Sequence, residues 1–369
     1  MNKKGVVAIT GSSGLIGSAL VERFSAEGYT VIGFDREGPP YPPPEADCLF
    51  VDLTSDQSTQ EAFALIEERY GKRLSSFIHL AAYYSFTGEP SDLYRKLTVE
   101  GTERCLRELQ RFDVEQFIFS STMLVHEPSS PGQKINESSP LLPKWEYPKS
   151  KVETEERIHN CRRDVPTLIL RIAGVYDEWC HSIPISQQIQ RIYEERLTGH
   201  LFPGDPRHGQ AFIHLGDLAD CFIKAVERRK QLPDELTLLI GEPVTFSYET
   251  LQRQIGALTH GDGWLTEYVP KVIAKVGAWV EGKVPGTREF IKPWMIDLAD
   301  DHYELDIGNA RKYLAWEPKH NLHATVPQMI ANLKSDPDRF YEANKLAAPP
   351  PLVKAATNIK KQKFTAGTR

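Results

Sequence analysis

Long apolar runs are absent from this sequence of 369 residues, and cysteine is scarce. A membrane-spanning helix needs about 18 or more consecutive apolar residues, so the sequence predicts no membrane span. The five cysteines are scattered and never form a Cys-x-x-Cys spacing. This argues against a disulfide framework or a zinc site and favours a reducing, cytoplasmic compartment. The apolar stretch near the start is too short and too interrupted to predict a secretory signal.

A strong net charge is also absent. The 44 basic and 50 acidic residues leave a net charge of −6, which gives no electrostatic footprint for nucleic acid. The charge is uneven, however, because residues 346–369 contain five basic residues and no acidic one. This segment, which includes three consecutive prolines, cannot bury enough apolar surface to offset the entropy lost on ordering. We therefore predict a disordered basic tail.

Short apolar strands alternate with amphipathic helices through the first half of the chain. Strands that are apolar on both faces and separated by helices indicate a parallel sheet covered on both sides. Right-handed crossovers then give an α/β fold, a doubly wound parallel sheet of the Rossmann type. After residue 175 the pattern loosens, which indicates a smaller, irregular substrate-binding region. We expect a Rossmann domain over 1–175, a partly interleaved substrate-binding region over 176–345 and the tail over 346–369.

A glycine-rich loop joins the first predicted strand to the first predicted helix. Gly11 ends the strand in a tight turn, Gly14 lets the backbone approach a pyrophosphate, and Gly17 allows close packing of the helix on the sheet. The helix N-terminus then faces the phosphates with free N–H groups and the positive end of its dipole. The spacing is Gly-x-x-Gly-x-x-Gly rather than the standard Gly-x-Gly-x-x-Gly, so the loop is informative only together with its surroundings.

An acidic residue, Asp35, ends the second predicted strand 18 residues after Gly17. This separation is close to that expected of a carboxylate that accepts the ribose hydroxyls of a dinucleotide. Such a carboxylate repels a 2′-phosphate and favours NAD, whereas Arg36 beside it could pair with that phosphate, so NADP stays open. Asp52, at the end of the third predicted strand, is either an adenine contact or the cap of a turn.

A tyrosine and a lysine four residues apart, Tyr147 and Lys151, share one face of a predicted helix. Because an ammonium group stabilises a nearby phenolate, we expect a lowered pKa for Tyr147 and a role as general base. Tyr341 and Lys345 repeat this spacing and are interpreted as helix surface. Tyr147 is distinguished by Thr122, which follows a buried strand at the sheet edge where ligands bind. Thr122 is predicted to share a substrate hydroxyl with Tyr147, while the serines before it cap the turn.

Together these residues resemble the extended short-chain dehydrogenase/reductase family, the NAD-dependent epimerase/dehydratase type, over roughly residues 5 to 330. The resemblance implies a catalytic triad of Thr122, Tyr147 and Lys151. In that mechanism Tyr147 removes a hydroxyl proton, hydride passes to the nicotinamide, and Lys151 holds the ribose. The residues that it implies for cofactor binding are Gly11, Ser13, Gly14, Leu15, Ile16, Gly17, Asp35, Arg36, Asp52, Leu53, Leu80, Ala81, Ala82, Ser120, Tyr147, Lys151 and Ile172.

Departures from the family pattern bear on the substrate. The family's dehydratases carry an Asp-Glu pair after the catalytic threonine, whereas Met123 and Leu124 stand here, so no acid is placed for elimination. Its nucleotide-sugar epimerases carry an arginine at the position of Gln210, and a neutral amide cannot supply the paired charge that a diphosphate needs. Arg207 is a candidate replacement, and Tyr83 is a further candidate substrate contact.

The substrates most frequent in the family favour a secondary alcohol of a sugar or nucleotide-sugar. The absence of the arginine at Gln210 favours instead a sterol-like or other uncharged alcohol. The alternative from another class is a non-catalytic NAD(P)-binding protein on the same fold, which the intact Tyr147 and Lys151 disfavour. His126, which stands where the family has a tyrosine, is interpreted as a structural histidine rather than an acid or base. The resemblance also implies a homodimer, and no metal is expected.

Overall fold

A computed structural model describes residues 4–36, 45–85, 89–261, 264–275 and 293–347. Its strands are β1 (Val6–Thr10), β2 (Thr30–Asp35), β3 (Asp47–Phe50), β4 (Arg73–Leu74), β5 (Ser76–His79), β6 (Asp113–Val114), β7 (Phe117–Thr122), β8 (Thr167–Ile172), β9 (Gly174–Tyr176), β10 (Leu201–Pro203), β11 (Phe212–His214), β12 (Glu235–Ile240) and β13 (Glu267–Val269). Its main helices are α1 (Leu15–Ala26), α2 (Asp56–Tyr70), α3 (Glu100–Leu109), α4 (Glu146–Cys161), α5 (Ile183–Tyr193), α6 (Leu215–Arg228), α7 (Tyr248–His260), α8 (Pro293–Asp297), α9 (Gly308–Leu314), α10 (Leu322–Ser335) and α11 (Pro337–Ala343).

Seven parallel strands form the central sheet in the order β12–β8–β7–β5–β1–β2–β3. The chain runs outward from β1 to β3 on one side and from β5 to β12 on the other, so the order reverses between β1 and β5. In a doubly wound sheet, ligands bind beyond the carboxyl ends of the strands at this reversal. The fold class predicted from the alternating strands and helices is confirmed.

One face of the sheet is covered by α2, α3 and α4, which share a continuous apolar core with the central strands. Aromatic rings fill its middle: Phe77 stacks on Phe117 with ring centroids 5.9 Å apart, and Phe34 meets Phe63 edge-on at 5.5 Å. Such pairs add to the free energy of burying large apolar side chains. This core fixes α4 against β7, the two elements that carry the predicted catalytic residues.

Two compact units divide the chain. The first contains Met1–Ala173, Leu215–Pro243 and Tyr303–Lys319, and the second contains Gly174–His214, Val244–His302 and the rest of the chain. The second unit has its own apolar core, built from α5, α7, α10 and α11. The two units are interleaved along the chain, because two later segments belong to the first unit. The predicted tail lies outside the described residues from residue 348 onward.

The helical segment that precedes β6 is not a single α-helix. Tyr94–Val99 forms a π-helix, and α3 begins only at Glu100. Within this wider turn the Thr98 hydroxyl accepts a hydrogen bond from the Tyr83 N–H at 3.0 Å, which ties the loop after β5 to the helix. π-Helical turns are often found near functional sites. None of the described helices is long and apolar enough to cross a membrane.

Candidate active site

The glycine loop is shaped by close backbone contacts. Gly11 has a positive φ of +70°, which glycine adopts without strain, and its N–H donates to the Phe34 carbonyl at 2.8 Å. A Cβ on Gly17 would collide with the Gly11 carbonyl group. Gly14 is exposed at the start of α1 and brings no side chain that could cap the helix. The loop thus keeps the N-terminus of α1 open towards a ligand.

Two serine hydroxyls in this loop have no hydrogen-bond partner in the part of the chain that the structure describes. Ser12 and Ser13 are buried, and neither hydroxyl has a hydrogen-bond partner among the described residues. An unsatisfied buried polar group costs about 1–3 kcal/mol, so such groups usually have a ligand or another partner. Phosphate oxygens are suitable acceptors, and backbone N–H groups at a helix N-terminus favour the same anion. The loop therefore fits a dinucleotide pyrophosphate.

Replacing Gly17 with alanine is expected to weaken NAD binding by about tenfold or more, because the added Cβ would push α1 away from the loop. Titration calorimetry with NAD measures the effect. Glu22→Ala, a change on the exposed side of the same helix, is the matched control and should leave NAD affinity unchanged. Equal NAD affinity in the wild type and Gly17→Ala would mean that the loop does not bind the pyrophosphate.

The acid after β2 faces the glycine loop. The Asp35 carboxylate accepts hydrogen bonds from the Ser13 N–H at 2.8 Å and from the Arg36 N–H at 2.7 Å. A carboxylate offers about four acceptor sites, so capacity remains for ribose hydroxyls. The Arg36 residue is exposed. Asp35 is therefore well placed for the predicted ribose contact, which stays a prediction.

The acid after β3 caps a turn. Asp52 accepts hydrogen bonds from the Thr54 N–H at 2.9 Å and the Thr54 hydroxyl at 2.7 Å. Partial burial opposes ionisation of Asp52, but these hydrogen bonds outweigh it and lower the pKa of the carboxyl. Of the two alternatives for Asp52, the structure shows the turn cap. The adenine contact of Asp52 and the cofactor contact of the buried Leu53 stay predictions.

A buried histidine joins β1, β5 and α3. His79 shares hydrogen bonds with the Thr10 hydroxyl at 2.8 Å and the Thr102 hydroxyl at 2.9 Å. Burial lowers the pKa of His79 to about 3, so the ring is neutral. The Thr10 hydroxyl also accepts the N–H groups of Leu80 and Ala81, both at 3.1 Å. This bonding holds Leu80 and Ala81, two residues predicted to bind the cofactor, beside the end of β1. The part played by Thr10 has no signal in the sequence.

Lys151 lies inside the first unit with only 1% of its surface exposed. Its ammonium group donates to the Ser120 carbonyl at 2.6 Å and lies 5.7 Å from the centroid of the Tyr147 ring. Burial lowers the pKa of Lys151 to about 7, although the Glu155 carboxylate opposes this. The lysine is thus close to the phenol ring, as the four-residue spacing predicts.

Tyr147 lies in the first turn of α4 and is half-buried. Burial raises the pKa of its phenol, and Tyr94 adds to the effect. The lowering of the pKa of Tyr147 that the four-residue spacing predicts is not found, because burial and Tyr94 both raise this pKa. At neutral pH the group is a protonated phenol that can donate a proton.

Thr122 ends β7 and is buried. Its hydroxyl oxygen accepts a hydrogen bond from the Leu124 N–H at 3.3 Å and caps the short 3₁₀ turn Met123–Val125. The expectation that the preceding serines, and not Thr122, cap this turn is wrong, because Ser121 instead donates to the Glu155 carboxylate. A hydroxyl that accepts one hydrogen bond keeps its own proton to donate. Since α4 packs against β7 and this turn, the three predicted catalytic residues belong to one packed region.

A buried ion pair lies next to the predicted catalytic residues. Arg171 on β8 pairs with Glu155 on α4, with Nη2 and Oε2 2.7 Å apart, and both side chains are under 10% exposed. The same guanidinium donates to His126 Nε2 at 3.0 Å, while His126 Nδ1 donates to the Ser139 carbonyl at 3.2 Å. Burial lowers the pKa of His126 to about 4, which fits the interpretation of a structural histidine. Glu155 was missed in the sequence, although it lies one helical turn after Lys151.

The residues predicted to bind substrate divide between the units. Tyr83 belongs to the first unit, where its ring meets Tyr94 edge-on with centroids 4.8 Å apart. Arg207 and Gln210 belong to the second unit. There the exposed Arg207 guanidinium forms an ion pair with Asp205 at 2.6 Å. Substrate binding by Tyr83, Arg207 and Gln210 stays a prediction.

The glycine-rich loop follows β1, where the strand order of the doubly wound sheet reverses. A loop suited to a pyrophosphate at this position is typical of dinucleotide-binding proteins. Residues 7–241 match the profile of the NAD dependent epimerase/dehydratase family. The chain belongs to this family. The extended short-chain dehydrogenase/reductase resemblance drawn from the motifs is thereby confirmed.

Among characterised relatives, the chain is 25% identical over 205 residues to a 3-beta-hydroxysteroid dehydrogenase from Mycolicibacterium neoaurum, a match covering 53% of each protein. It is 20% identical over 361 residues to a decarboxylating sterol-4-alpha-carboxylate 3-dehydrogenase from Candida albicans, covering 89% of this chain and 98% of that protein. A UDP-glucose 4-epimerase from Thermotoga maritima, solved with UDP-glucose, superposes with a TM-score of 0.69 at 19% identity, covering 90% of this chain and 100% of that chain. At this identity the structural likeness shows the fold alone.

Proposed function

We propose that this protein is an NAD-dependent oxidoreductase that interconverts a secondary alcohol and its ketone through Thr122, Tyr147 and Lys151. The observation that carries the proposal is the buried Lys151 ammonium group 5.7 Å from the Tyr147 ring, beside the end of β7. Lys151 is buried beside the carboxyl end of β7 with a lowered pKa, and perturbed ionisable groups of this kind are concentrated at functional sites.

The cofactor would be held by the glycine loop and by Asp35. When bound, NAD supplies the acceptor for the hydride that leaves the alcohol carbon. The Ser12 and Ser13 hydroxyls and the first N–H groups of α1 are available for the pyrophosphate. The Asp35 carboxylate lies against the loop, so it would repel a 2′-phosphate, and we propose NAD rather than NADP.

The protein's own residues would handle the proton. Thr122 would orient the substrate oxygen through its hydroxyl proton, while Tyr147 removes the proton in oxidation and returns it in reduction. Lys151 would bind the ribose and favour the phenolate by its charge. Because His126 is neutral and engaged by Arg171 and Ser139, it takes no part in this transfer.

Two substrate classes are suggested by the relatives: nucleotide-sugars and sterol-like alcohols. The Arg207 guanidinium, which could have replaced the family's diphosphate-binding arginine, is engaged by Asp205 through two hydrogen-bonding nitrogens. Gln210 carries no charge. These observations favour an uncharged alcohol over a nucleotide-sugar.

The proposed function is tested by mixing the purified protein with NAD or NADP and a panel of secondary alcohols, and following the absorbance of the reduced cofactor. We expect reduction of NAD with at least one alcohol and a kcat/KM for NADP about tenfold or more lower. Tight binding of NAD without hydride transfer to or from any alcohol or ketone would instead support the non-catalytic alternative.

The pH dependence should differ between the two directions of the reaction. Because burial raises the pKa of Tyr147, the phenolate that oxidation needs forms only above the ordinary range of a tyrosine. We therefore expect alcohol oxidation to rise from about pH 6 to about pH 9, while ketone reduction, which needs the phenol and the charge of Lys151, does not rise. Initial rates in both directions across this range check the prediction, and an oxidation rate that is already maximal at pH 6 would refute it.

A further inference from the structure

Arg171 on β8 links three segments of the first unit. Its Nε and Nη2 groups donate to the two Glu155 carboxylate oxygens on α4, at 3.2 and 2.7 Å. Its Nη1 group donates to His126 Nε2 at 3.0 Å and to the Glu137 carbonyl at 3.1 Å, both in the segment that follows β7. Because a guanidinium is planar and rigid, these hydrogen bonds fix where the three segments lie relative to one another.

The contacts of Arg171 lie on both sides of Thr122 along the chain. Immediately before Thr122, the Ser121 hydroxyl donates to the Glu155 carboxylate that Arg171 binds. After it comes the 3₁₀ turn that Thr122 caps, and the residue that ends this turn is His126. Thr122, itself buried, is therefore flanked by two residues that are tied to the same ion pair. We call Ser121, His126, Glu155 and Arg171 the Arg171 network.

The network also holds the helix that carries Tyr147. Tyr147, Lys151 and Glu155 follow one another at intervals of four residues and so share one face of α4. Lys151 donates to the Ser120 carbonyl at 2.6 Å, and Glu155 accepts a hydrogen bond from the Ser121 hydroxyl. Two successive residues near the end of β7 are thus bonded to two successive turns of α4. A displacement of α4 along β7 would break both bonds, so they hold the helix in register with the strand.

His126 serves the network as a neutral acceptor. It is fully buried, and its Nδ1 group donates to the Ser139 carbonyl at 3.2 Å, which leaves the Nε2 lone pair facing Arg171. Burial lowers the pKa of His126 to about 4, and the Arg171 cation adds to the effect, so the ring is neutral at neutral pH. A side chain without an acceptor would leave one Nη1 hydrogen of the buried guanidinium without this partner. The histidine therefore holds Arg171 as well as filling space.

We propose that the Arg171 network is a positioning device that holds the Thr122 hydroxyl in register with Tyr147 for hydride transfer. His126 and Glu155 are then positioning residues, which act through Thr122 and α4 and touch no reacting atom. This inference rests on the proposed function and adds two residues to its machinery. Reacting groups need closely fixed positions, because a misplacement of about 1 Å can cost on the order of 100-fold in rate.

The first test replaces His126 with phenylalanine, which keeps a ring and removes the acceptor. The probe is the secondary alcohol of the panel that gives the highest kcat/KM with NAD. We expect kcat to fall by about 10- to 100-fold, because the turn after Thr122 is no longer tied to Arg171, while KM and the affinity for NAD change by less than about threefold. His126→Gln, which restores an acceptor, should recover kcat to within about threefold of the wild type.

A single-turnover experiment separates positioning from a loss of folded protein. With the enzyme in excess over NAD and the alcohol saturating, NADH formation has a first-order rate constant that does not depend on how much of the protein is folded. Stopped-flow absorbance measures it. We expect this rate constant to fall by about 10- to 100-fold in His126→Phe. A rate constant equal to that of the wild type would mean that the change affects folding alone, and would overturn the inference.

Glu155→Gln tests whether the network acts as one device. The change keeps the shape of the side chain and removes the charge that binds Arg171, so we expect the single-turnover rate constant to fall by about three- to tenfold. In the double variant with His126→Phe, the combined loss should be smaller than the product of the two single losses, because both changes release the same guanidinium. Losses that multiply would show two independent effects and contradict a single network.

His159 provides the matched control. This histidine also lies on α4 and forms an ion pair with Glu235, with Nδ1 and Oε1 2.9 Å apart, but its side chain is exposed, and none of its described contacts involves the Arg171 network. His159→Phe makes the same chemical change outside the network. It should leave both kcat and the single-turnover rate constant unchanged.

The two possible failures can be told apart. If NAD binds and the wild type oxidises none of the alcohols, the proposed function is contradicted and the inference is lost with it. If the wild type oxidises an alcohol and His126→Phe does so at the same single-turnover rate, the inference alone is contradicted and the proposed function stands. A loss of rate in His159→Phe as large as that in His126→Phe would also contradict the inference.

Discussion

Replacing Tyr147 with phenylalanine is expected to lower kcat/KM by on the order of 10³-fold while NAD affinity stays nearly the same. The change removes one oxygen and keeps the ring, so the contacts of the Tyr147 ring with Tyr84 and Trp145 are retained. The variant should therefore fold normally. Steady-state kinetics with the best alcohol, together with calorimetry for NAD, measure the two effects separately.

The chain contains its own control for this experiment. Tyr341 and Lys345 have the same spacing, but Tyr341 belongs to the second unit, where its hydroxyl donates to Glu194 at 2.7 Å. Tyr341→Phe removes one buried hydrogen bond, which is worth about 1 kcal/mol of stability, and should leave kcat/KM unchanged. An active Tyr147→Phe enzyme, or an equal loss of activity in both variants, would contradict the proposed acid–base role.

Replacing Glu155 with alanine is expected to lower the free energy of unfolding by about 3–5 kcal/mol. The reason is that Arg171, which is 7% exposed, would be left as a buried cation without its carboxylate partner. Ser121, which donates to the same carboxylate, would lose its acceptor as well. Chemical denaturation followed by circular dichroism measures the change.

A neighbouring residue on α4 gives the comparison. Glu156 carries the same charge and is exposed, so Glu156→Ala should change the free energy of unfolding by less than about 0.5 kcal/mol. Glu155→Gln, which keeps the shape and some hydrogen bonding, should fall between the two. If Glu155→Ala is no less stable than Glu156→Ala, the ion pair with Arg171 does not hold α4 to the sheet.

Much of the fold could be predicted because the signals are local. Short apolar strands that alternate with helices indicate a parallel sheet without any knowledge of the contacts. The strand Phe117–Thr122 agrees with this prediction, because it is buried at every position. The glycine loop could be predicted for the same reason, since Gly11 and Gly17 reflect the backbone geometry of one turn. The spacing of Tyr147 and Lys151 follows from helix geometry alone.

The remaining features depend on contacts between distant segments. The raised pKa of Tyr147 results from burial and from Tyr94, neither of which a four-residue spacing reveals. The pairing of Glu155 with Arg171 joins a helix to a strand, so its partners could not be found from periodicity. The π-helix at Tyr94–Val99 has no sequence signal that distinguishes it from an α-helix.

The central claim is that a bound nicotinamide lies against Tyr147 with its pyrophosphate on the glycine loop. An experimental structure of the protein with NAD tests it most directly. We expect the pyrophosphate at Gly11 to Gly17, the adenosine ribose on Asp35, and the nicotinamide ribose within hydrogen-bond distance of Lys151. A complex in which the pyrophosphate lies elsewhere, or in which the nicotinamide points away from Tyr147, would contradict the account.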